Sequence, residues 1–255
     1  MRAVARAEDL ARWMRQQAAA AGARGFVVAW DGGVDSAVVA RLAQLATPGA
    51  VVCALLLCHS DPKAEVDVLL SAEQLSLPIA RVDLSSTFDL LAATLQAARG
   101  PTTKAHTGMS DGSPEERLRL DDMKARLRMT ALYFLANGLS YLVAGTANRS
   151  DLAVGHVTKY GDGGVDLLPL GRLLRSEVQK LARTVGVSAQ IIDRPSAAGM
   201  RHDVNTEEDM GFTYDDLERY LNGGPQSVAP AVAMRIERRA RAGDHKLDVP
   251  PMPDA

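Results

Sequence analysis

Ala29-Trp30-Asp31-Gly32-Gly33-Val34-Asp35-Ser36 follows the apolar run Gly25-Phe26-Val27-Val28 and precedes Ala37-Val38-Val39-Ala40-Arg41-Leu42-Ala43. The first run reads as a buried strand and the last as a helix. A strand, a glycine turn and a helix N-terminus together make an anion site. The glycines let the backbone turn tightly and approach an anion with no Cβ in the way. The free N–H groups of the helix's first turn, with its dipole, favour negative charge there. Gly32, Gly33 and Val34 supply that backbone, and Ser36 adds a hydroxyl donor. On its own, such a turn also serves as an ordinary strand-to-helix connection.

Working outward, Ala50-Val51-Val52-Cys53-Ala54-Leu55-Leu56-Leu57 is a second apolar run. Continuous runs of this kind fit parallel strands covered on both faces. A helix is predicted over 64–75, a third strand over Pro78 to Asp83, and a helix from Ser85 or Ser86 to Arg99. Tyr141-Leu142-Val143-Ala144 is a fourth strand. The β-α-β-α order predicts an α/β fold: a doubly wound, mostly parallel sheet with helices on both faces. Ligands then sit beyond the carboxyl ends of the strands. That places the loop after Trp30 and the segment Cys58-His59-Ser60 on one rim. A phosphate at the loop would give Asp35 a role, since a carboxylate beside phosphate naturally holds Mg²⁺.

The loop is neither common nucleotide fingerprint. It lacks the lysine of the Walker pattern and the spacing of G-x-G-x-x-G. Composition narrows the field further. The chain has 255 residues, enough for one full α/β domain, predicted over 1–255 with an extended tail at 244–255. A net charge of −2 implies no general attraction to nucleic acid or to an anionic membrane. No signal peptide or membrane-length run is apparent, so the chain reads as cytoplasmic. Cys53 and Cys58 have an odd separation within one predicted strand, which puts them on opposite faces, unpaired. The five histidines show no zinc-type clustering.

The rest of the chain divides simply. Val4 to Ala21 is an amphipathic helix with Leu10, Trp13 and Met14 on one face. Residues 100–113 are polar and without periodicity, either a lid or a surface connection. Pro114 opens a long helix to Asn137, on which Lys124, Arg126 and Arg128 read as a solvated basic face. Beyond the fourth strand come Gly145-Thr146-Ala147-Asn148-Arg149-Ser150-Asp151 and His156-Val157-Thr158-Lys159-Tyr160-Gly161-Asp162-Gly163-Gly164-Val165-Asp166. So many charged and glycine residues beyond a buried strand point to function. A helix from Arg175 to Val185 follows. Ile191 to Ser196 reads as extended, and Thr213 as the cap of a helix from Tyr214 to Leu221. Val228 to Ala242 is the last predicted helix.

The loop resembles the pyrophosphate loop Ser-Gly-Gly-x-Asp-Ser of the N-type ATP pyrophosphatases. By Lys124-Ala125-Arg126-Leu127-Arg128-Met129 the likeness narrows to the ammonia-dependent NAD synthetase family. It strengthens at Gly145-Thr146, at Thr158 to Asp166, at Pro195-Ser196-Ala197 and at His245-Lys246. The resemblance implies an adenine nucleotide alpha hydrolase-like fold and a homodimer with the substrate site at its interface. It implies no glutaminase domain. The implied reaction is ATP-dependent amidation of deamido-NAD by ammonia through an adenylate, giving NAD, AMP and pyrophosphate. By the same resemblance, Asp31, Gly32, Gly33, Val34, Asp35, Ser36, Thr146, Arg175 and Ser196 bind ATP. Asp35 and Asp151 hold Mg²⁺, while Arg126, Lys159 and Asp166 bind the dinucleotide, and the tail pair His245 and Lys246 reaches the dinucleotide in the partner subunit. Asp35, Ser36, Lys159, Asp166 and Arg175 carry the chemistry.

The match has four departures. Asp31 replaces the loop serine, Asp151 a glutamate, Arg175 a lysine, and Asp121-Asp122 a Gly-Asn pair. A carboxylate at 31 repels phosphate unless it binds metal or turns away. The acidic pair borders the dinucleotide and puts the substrate in question. Two alternatives therefore stand beside the leading one. One is an amide ligase that adenylates a different carboxylate. The other is a non-catalytic nucleotide-binding dimer.

Overall fold

The computed structural model describes residues 2–98, 114–193 and 206–253. The predicted loop 100–113, the segment Arg194 to Ser196 and Ala197 lie outside these residues, so Ser196 is not placed.

Four parallel strands form one sheet in the order β3-β2-β1-β4. They are β1 Gly25–Ala29, β2 Val51–Leu57, β3 Ile79–Asp83 and β4 Tyr141–Ala144. Phe26 stands opposite Val51 on one side and Leu142 on the other, so β1 is flanked by two neighbours. Its residues feed two cores, because side chains alternate across a strand. Phe26, Val28 and Trp30 pack with α1 (Arg2–Ala20), α2 (Val34–Ala46) and α7 (Arg175–Thr184). Val27 packs with Ala54, Leu56 and Val143 under Leu132 and Ala136 of α5 (Pro114–Leu139). This double coverage is why β1 and β2 read as unbroken apolar runs.

Helix starts follow local chemistry. Asp61 caps α3 (Pro62–Gln74) by accepting from the Lys63 N–H at 2.9 Å, and Pro62 needs no N–H partner. Helix α4 spans Ser85–Ala97. Asn148 caps the short α6 (Arg149–Ala153). Two short helices, α8 (Ala189–Ile192) and α9 (Thr206–Met210), precede α10 (Tyr214–Gly223) and α11 (Pro230–Leu247). The last pair closes a satellite core of Val154, Met210, Phe212, Tyr214, Leu217 and Ile236.

Three expectations need correction. Ile191 and Ile192 are helical, not extended: the Ser188 carbonyl accepts from both of their N–H groups and closes a single turn. Helix α11 continues through His245 and Lys246, so extended chain begins at Asp248. It continues because the side chains of Lys159 and Lys246 tie its end to the 155–159 segment. Cys58 lies just past β2 rather than within it, and both cysteines are free and buried. Among the described residues no helix is long and apolar enough to cross a membrane.

Candidate active site

Strand order runs from β1 outward to β2 and β3, then returns to β4 on the other side of β1. This reversal opens a crevice at the carboxyl ends of β1 and β4. The Trp30–Gly33 loop leaves β1 there, and Gly145 to Asn148 leaves β4 beside it.

The loop is held by its own side chains. The Trp30 indole is 1% exposed and donates to the Val68 carbonyl of α3 at 3.0 Å. Gly32 has φ +74°, a conformation open to glycine. That turn brings the Gly33 N–H to the Asp31 Oδ1 at 2.9 Å. The Ser36 hydroxyl donates to the same oxygen at 2.5 Å. Gly33 then caps α2, which places Val34, Asp35 and Ser36 in its first turn.

Asp35 is the centre of the crevice. Its Oδ1 accepts from the Asn148 side-chain amide at 3.1 Å, and Oδ2 lies 3.5 Å from the Arg175 guanidinium. Burial, and then the charge of Asp151, push its carboxyl up to about 7; Arg175 and Asn148 pull the other way. Asn148 is fully buried and ties both carboxylates together. Its Oδ1 accepts from the Ser150 and Asp151 N–H groups, and its own backbone N–H donates to the Asp151 Oδ2 at 3.3 Å. The other Asp151 oxygen accepts from the Tyr214 hydroxyl at 3.0 Å. Arg175 stacks on that tyrosine, its guanidinium 4.5 Å from the ring centre. Asp151 is thus both the cap partner of α6 and a wall of the crevice.

Asn148→Ala is expected to cost about 2 kcal/mol, because it removes a helix cap and strips a buried carboxylate of its donor. Urea unfolding of parent and variant reads this directly.

A second cluster lies on the 155–166 segment. The Asp122 Oδ1 accepts from the Thr158 hydroxyl at 2.7 Å, and its Oδ2 is 3.7 Å from Arg126. Arg126 also donates to the Lys159 carbonyl at 3.2 Å. The Lys159 ammonium donates to the His245 carbonyl and lies 3.5 Å from that of Asp248, at the end of α11. The Lys246 ammonium returns the contact, donating to the Gly155 carbonyl at 3.0 Å. Gly155, at φ +59°, and Gly243 touch backbone to backbone. The pair His245-Lys246 therefore packs on the Lys159 loop of its own chain. Asp166 sits at the edge of β4, where its oxygens accept from the Val143 N–H at 2.7 Å and the Tyr133 hydroxyl at 3.1 Å. Burial, and then Asp166, push the Tyr133 phenol up to about 12.

The structure thus brings Asp31, Gly32, Gly33, Val34, Asp35, Ser36, Asp151 and Arg175 to one crevice. Thr146 lies in the turn after β4. Arg126, Lys159, His245 and Lys246 gather on the second cluster, with Asp166 beside β4. The solvated face expected for Arg128 is corrected. Its guanidinium is drawn in by a 3.1 Å bond to the Leu56 carbonyl at the end of β2, and burial lowers its basicity. Asp31 and Asp162 are among the charges it feels, so it stands between the two clusters. Three participants escape the sequence reading: Arg128, Asn148 and Tyr214. Only Asn148 carries a signal, the Asn-x-x-Asp spacing of a capping box. His59, on the predicted rim, turns away to Asp89 at 2.7 Å.

A family model described as NAD synthase matches residues 6–250. An NH(3)-dependent NAD(+) synthetase of Carboxydothermus hydrogenoformans is 39% identical, over 96% of each chain. Among solved structures, an NMN synthetase from Francisella tularensis superposes with TM-score 0.85 at 26% identity, over 98% of each chain. An NAD+ synthetase from Burkholderia pseudomallei superposes with TM-score 0.72 at 27% identity, over 97% of this chain and 91% of its own. A parallel sheet with this loop at its switch point, matched from end to end by these proteins, leaves one conclusion: the chain belongs to the NAD synthase family.

Proposed function

We propose that the protein amidates deamido-NAD with ammonia at the expense of ATP, giving NAD, AMP and pyrophosphate. The observation that carries this reading is the crevice. A glycine loop at a helix N-terminus and two carboxylates held by one buried residue, Asn148, through its side-chain amide to Asp35 and its backbone N–H to Asp151, meet at its centre, in a chain of this family. The ATP phosphates lie on the Gly32–Ser36 backbone and hydroxyl, where N–H groups and the α2 dipole stabilise the departing charge. The nicotinate carboxylate attacks the α-phosphorus and pyrophosphate leaves. Ammonia then adds to the acyl carbon of the adenylate and expels AMP. Arg175, fixed against Tyr214 and Asp35, supplies a cation that is already desolvated.

The donors fit Mg²⁺. Asp35 and Asp151 are hard oxygen ligands joined through Asn148, and burial and Asp151 destabilise the Asp35 anion even with Arg175 beside it. Mg²⁺ is commonly held by one or two carboxylates plus substrate phosphate, which is the donor set these two residues and ATP would offer. When bound it would neutralise the leaving pyrophosphate. Lys159, Arg126, His245 and Lys246 bind the dinucleotide, and Asp166 stands beside the ammonia. Free ammonia is the nitrogen source, as the NH(3)-dependent Carboxydothermus relative suggests. The enzyme works in the cytoplasm as a homodimer of single-domain chains. Phe134, 80% exposed on α5, is an apolar surface that a second copy would cover.

One observation favours a second reading. Asp122 closes the second cluster by holding both Thr158 and Arg126, where the family's usual pair has no charge. The Francisella protein, an NMN synthetase, also superposes well. A mononucleotide carboxylate would then replace the dinucleotide. The test incubates protein, ATP, Mg²⁺ and ammonium with deamido-NAD or with nicotinate mononucleotide. Amide product, AMP and pyrophosphate are followed together. Stoichiometric NAD and AMP are expected. Turnover of the mononucleotide alone selects the second reading, and no amide from either overturns both.

A further inference from the structure

We propose that the Asp31 carboxylate is an internal stand-in for phosphate, occupying the loop's donors in the unligated chain, so that ATP enters by displacing it. The inference rests on the ATP-binding reading of the loop. A loop built for anions needs its donors unspent. Here the Gly33 N–H at 2.9 Å and the Ser36 hydroxyl at 2.5 Å both converge on Asp31 Oδ1. Ser36 also lies 3.1 Å from the Gly33 carbonyl, but a hydroxyl has one proton. The shorter bond, to an ionised acceptor, is the stronger. The carboxylate therefore sits at the α2 N-terminus, where the dipole favours negative charge.

Chemically, one oxygen accepting a backbone N–H and a serine hydroxyl is what a phosphate oxygen does. A carboxylate that stayed in place would repel the incoming phosphates, so the two occupancies exclude one another. Arg128, held at the end of β2 and within electrostatic reach of Asp31, is a cation toward which the displaced side chain can turn. The serine usual at this position can share its hydroxyl with a phosphate. Asp31 has no proton to offer and competes instead.

Inorganic pyrophosphate with Mg²⁺ is the probe. Asp31→Asn keeps an acceptor for the turn and removes the charge. It is expected to bind pyrophosphate about tenfold more tightly than the parent, the equivalent of one charge-assisted hydrogen bond no longer in competition. Asp31→Ser should tighten likewise, and AMP affinity should not move. Unchanged or weaker pyrophosphate binding in Asp31→Asn overturns the inference; the carboxylate is then a turn residue or a metal ligand. Amide formation by the parent is measured in parallel. A parent that makes NAD, with variants unchanged in pyrophosphate affinity, loses this inference alone. A parent that makes none, with variants that bind more tightly, loses only the proposed reaction.

Discussion

Asp35→Asn is expected to lower turnover by about three orders of magnitude or more and, at the same time, to stabilise the unligated protein. The loss follows if Asp35 carries the charge that organises metal and pyrophosphate, since removing one such stabiliser costs about 10²–10³ or more in rate. The gain follows from burial. Asp35 titrates near 7 in the fold against an ordinary 3.8, and that balance already includes the pull of Arg175. Between those values the folded state holds more protons than the unfolded one. Stability therefore falls as pH rises through that window, and the full penalty is present above 7. The asparagine carries no such penalty. Its advantage should be small at pH 4 and on the order of 2 kcal/mol at pH 8, a few degrees in melting temperature. Thermal unfolding at both pH values, beside pyrophosphate release, checks the pair. A variant destabilised at pH 8, or one with normal turnover, contradicts it.

Gly155→Val is expected to be the most disruptive substitution in the second cluster. A Cβ at Gly155 would stand 2.4 Å from the Gly243 Cα, against backbone that has no side chain to move aside. The φ of +59° adds strain for a β-branched residue. Together these should cost about 3 kcal/mol or more and lift the end of α11 from its seat. Lys159 and Lys246 then lose their carbonyl partners. Faster proteolysis within residues 244–253 and a raised KM for the dinucleotide should accompany the loss. Gly186→Val separates the two causes. Gly186 has φ +81°, and a Cβ there would meet nothing within 4 Å, so it carries only backbone strain. Equal destabilisation of the two variants would remove the collision from the account.

Much of this architecture is legible in the residues, for identifiable reasons. The unbroken runs at β1 and β2 betray strands covered on both faces, and Asp61-Pro62 betrays a helix start. The Gly32-Gly33 turn betrays the strand-to-helix connection into α2, while by itself it does not tell an anion site from an ordinary turn. The end of α11 is harder to read. Gly243 is a local stop signal just after Ala242, yet the helix runs through it, and its end is met by Lys159, distant in sequence and close in space. Ile191-Ile192 is too short for any period to separate a turn of helix from a strand. Arg128 shares its surroundings in sequence with exposed Arg126, and only the reach to the Leu56 carbonyl distinguishes them. Asp31 shows the opposite failure. Its identity is plain in the sequence, but the direction of its carboxylate depends on the turn that Gly32 makes.

The burial of Trp30 has an optical consequence. The chain has two tryptophans, and they differ in setting. Trp13, on α1, is 36% exposed, while Trp30 is sealed beneath the loop with its indole bonded to Val68. Emission from Trp30 should be blue-shifted and shielded from acrylamide; that of Trp13 should be redder and quenchable. With Trp13→Phe the protein becomes a single-fluorophore reporter whose chromophore adjoins Asp31. Rapid mixing with ligand can then time the loop's rearrangement in an otherwise unlabelled chain.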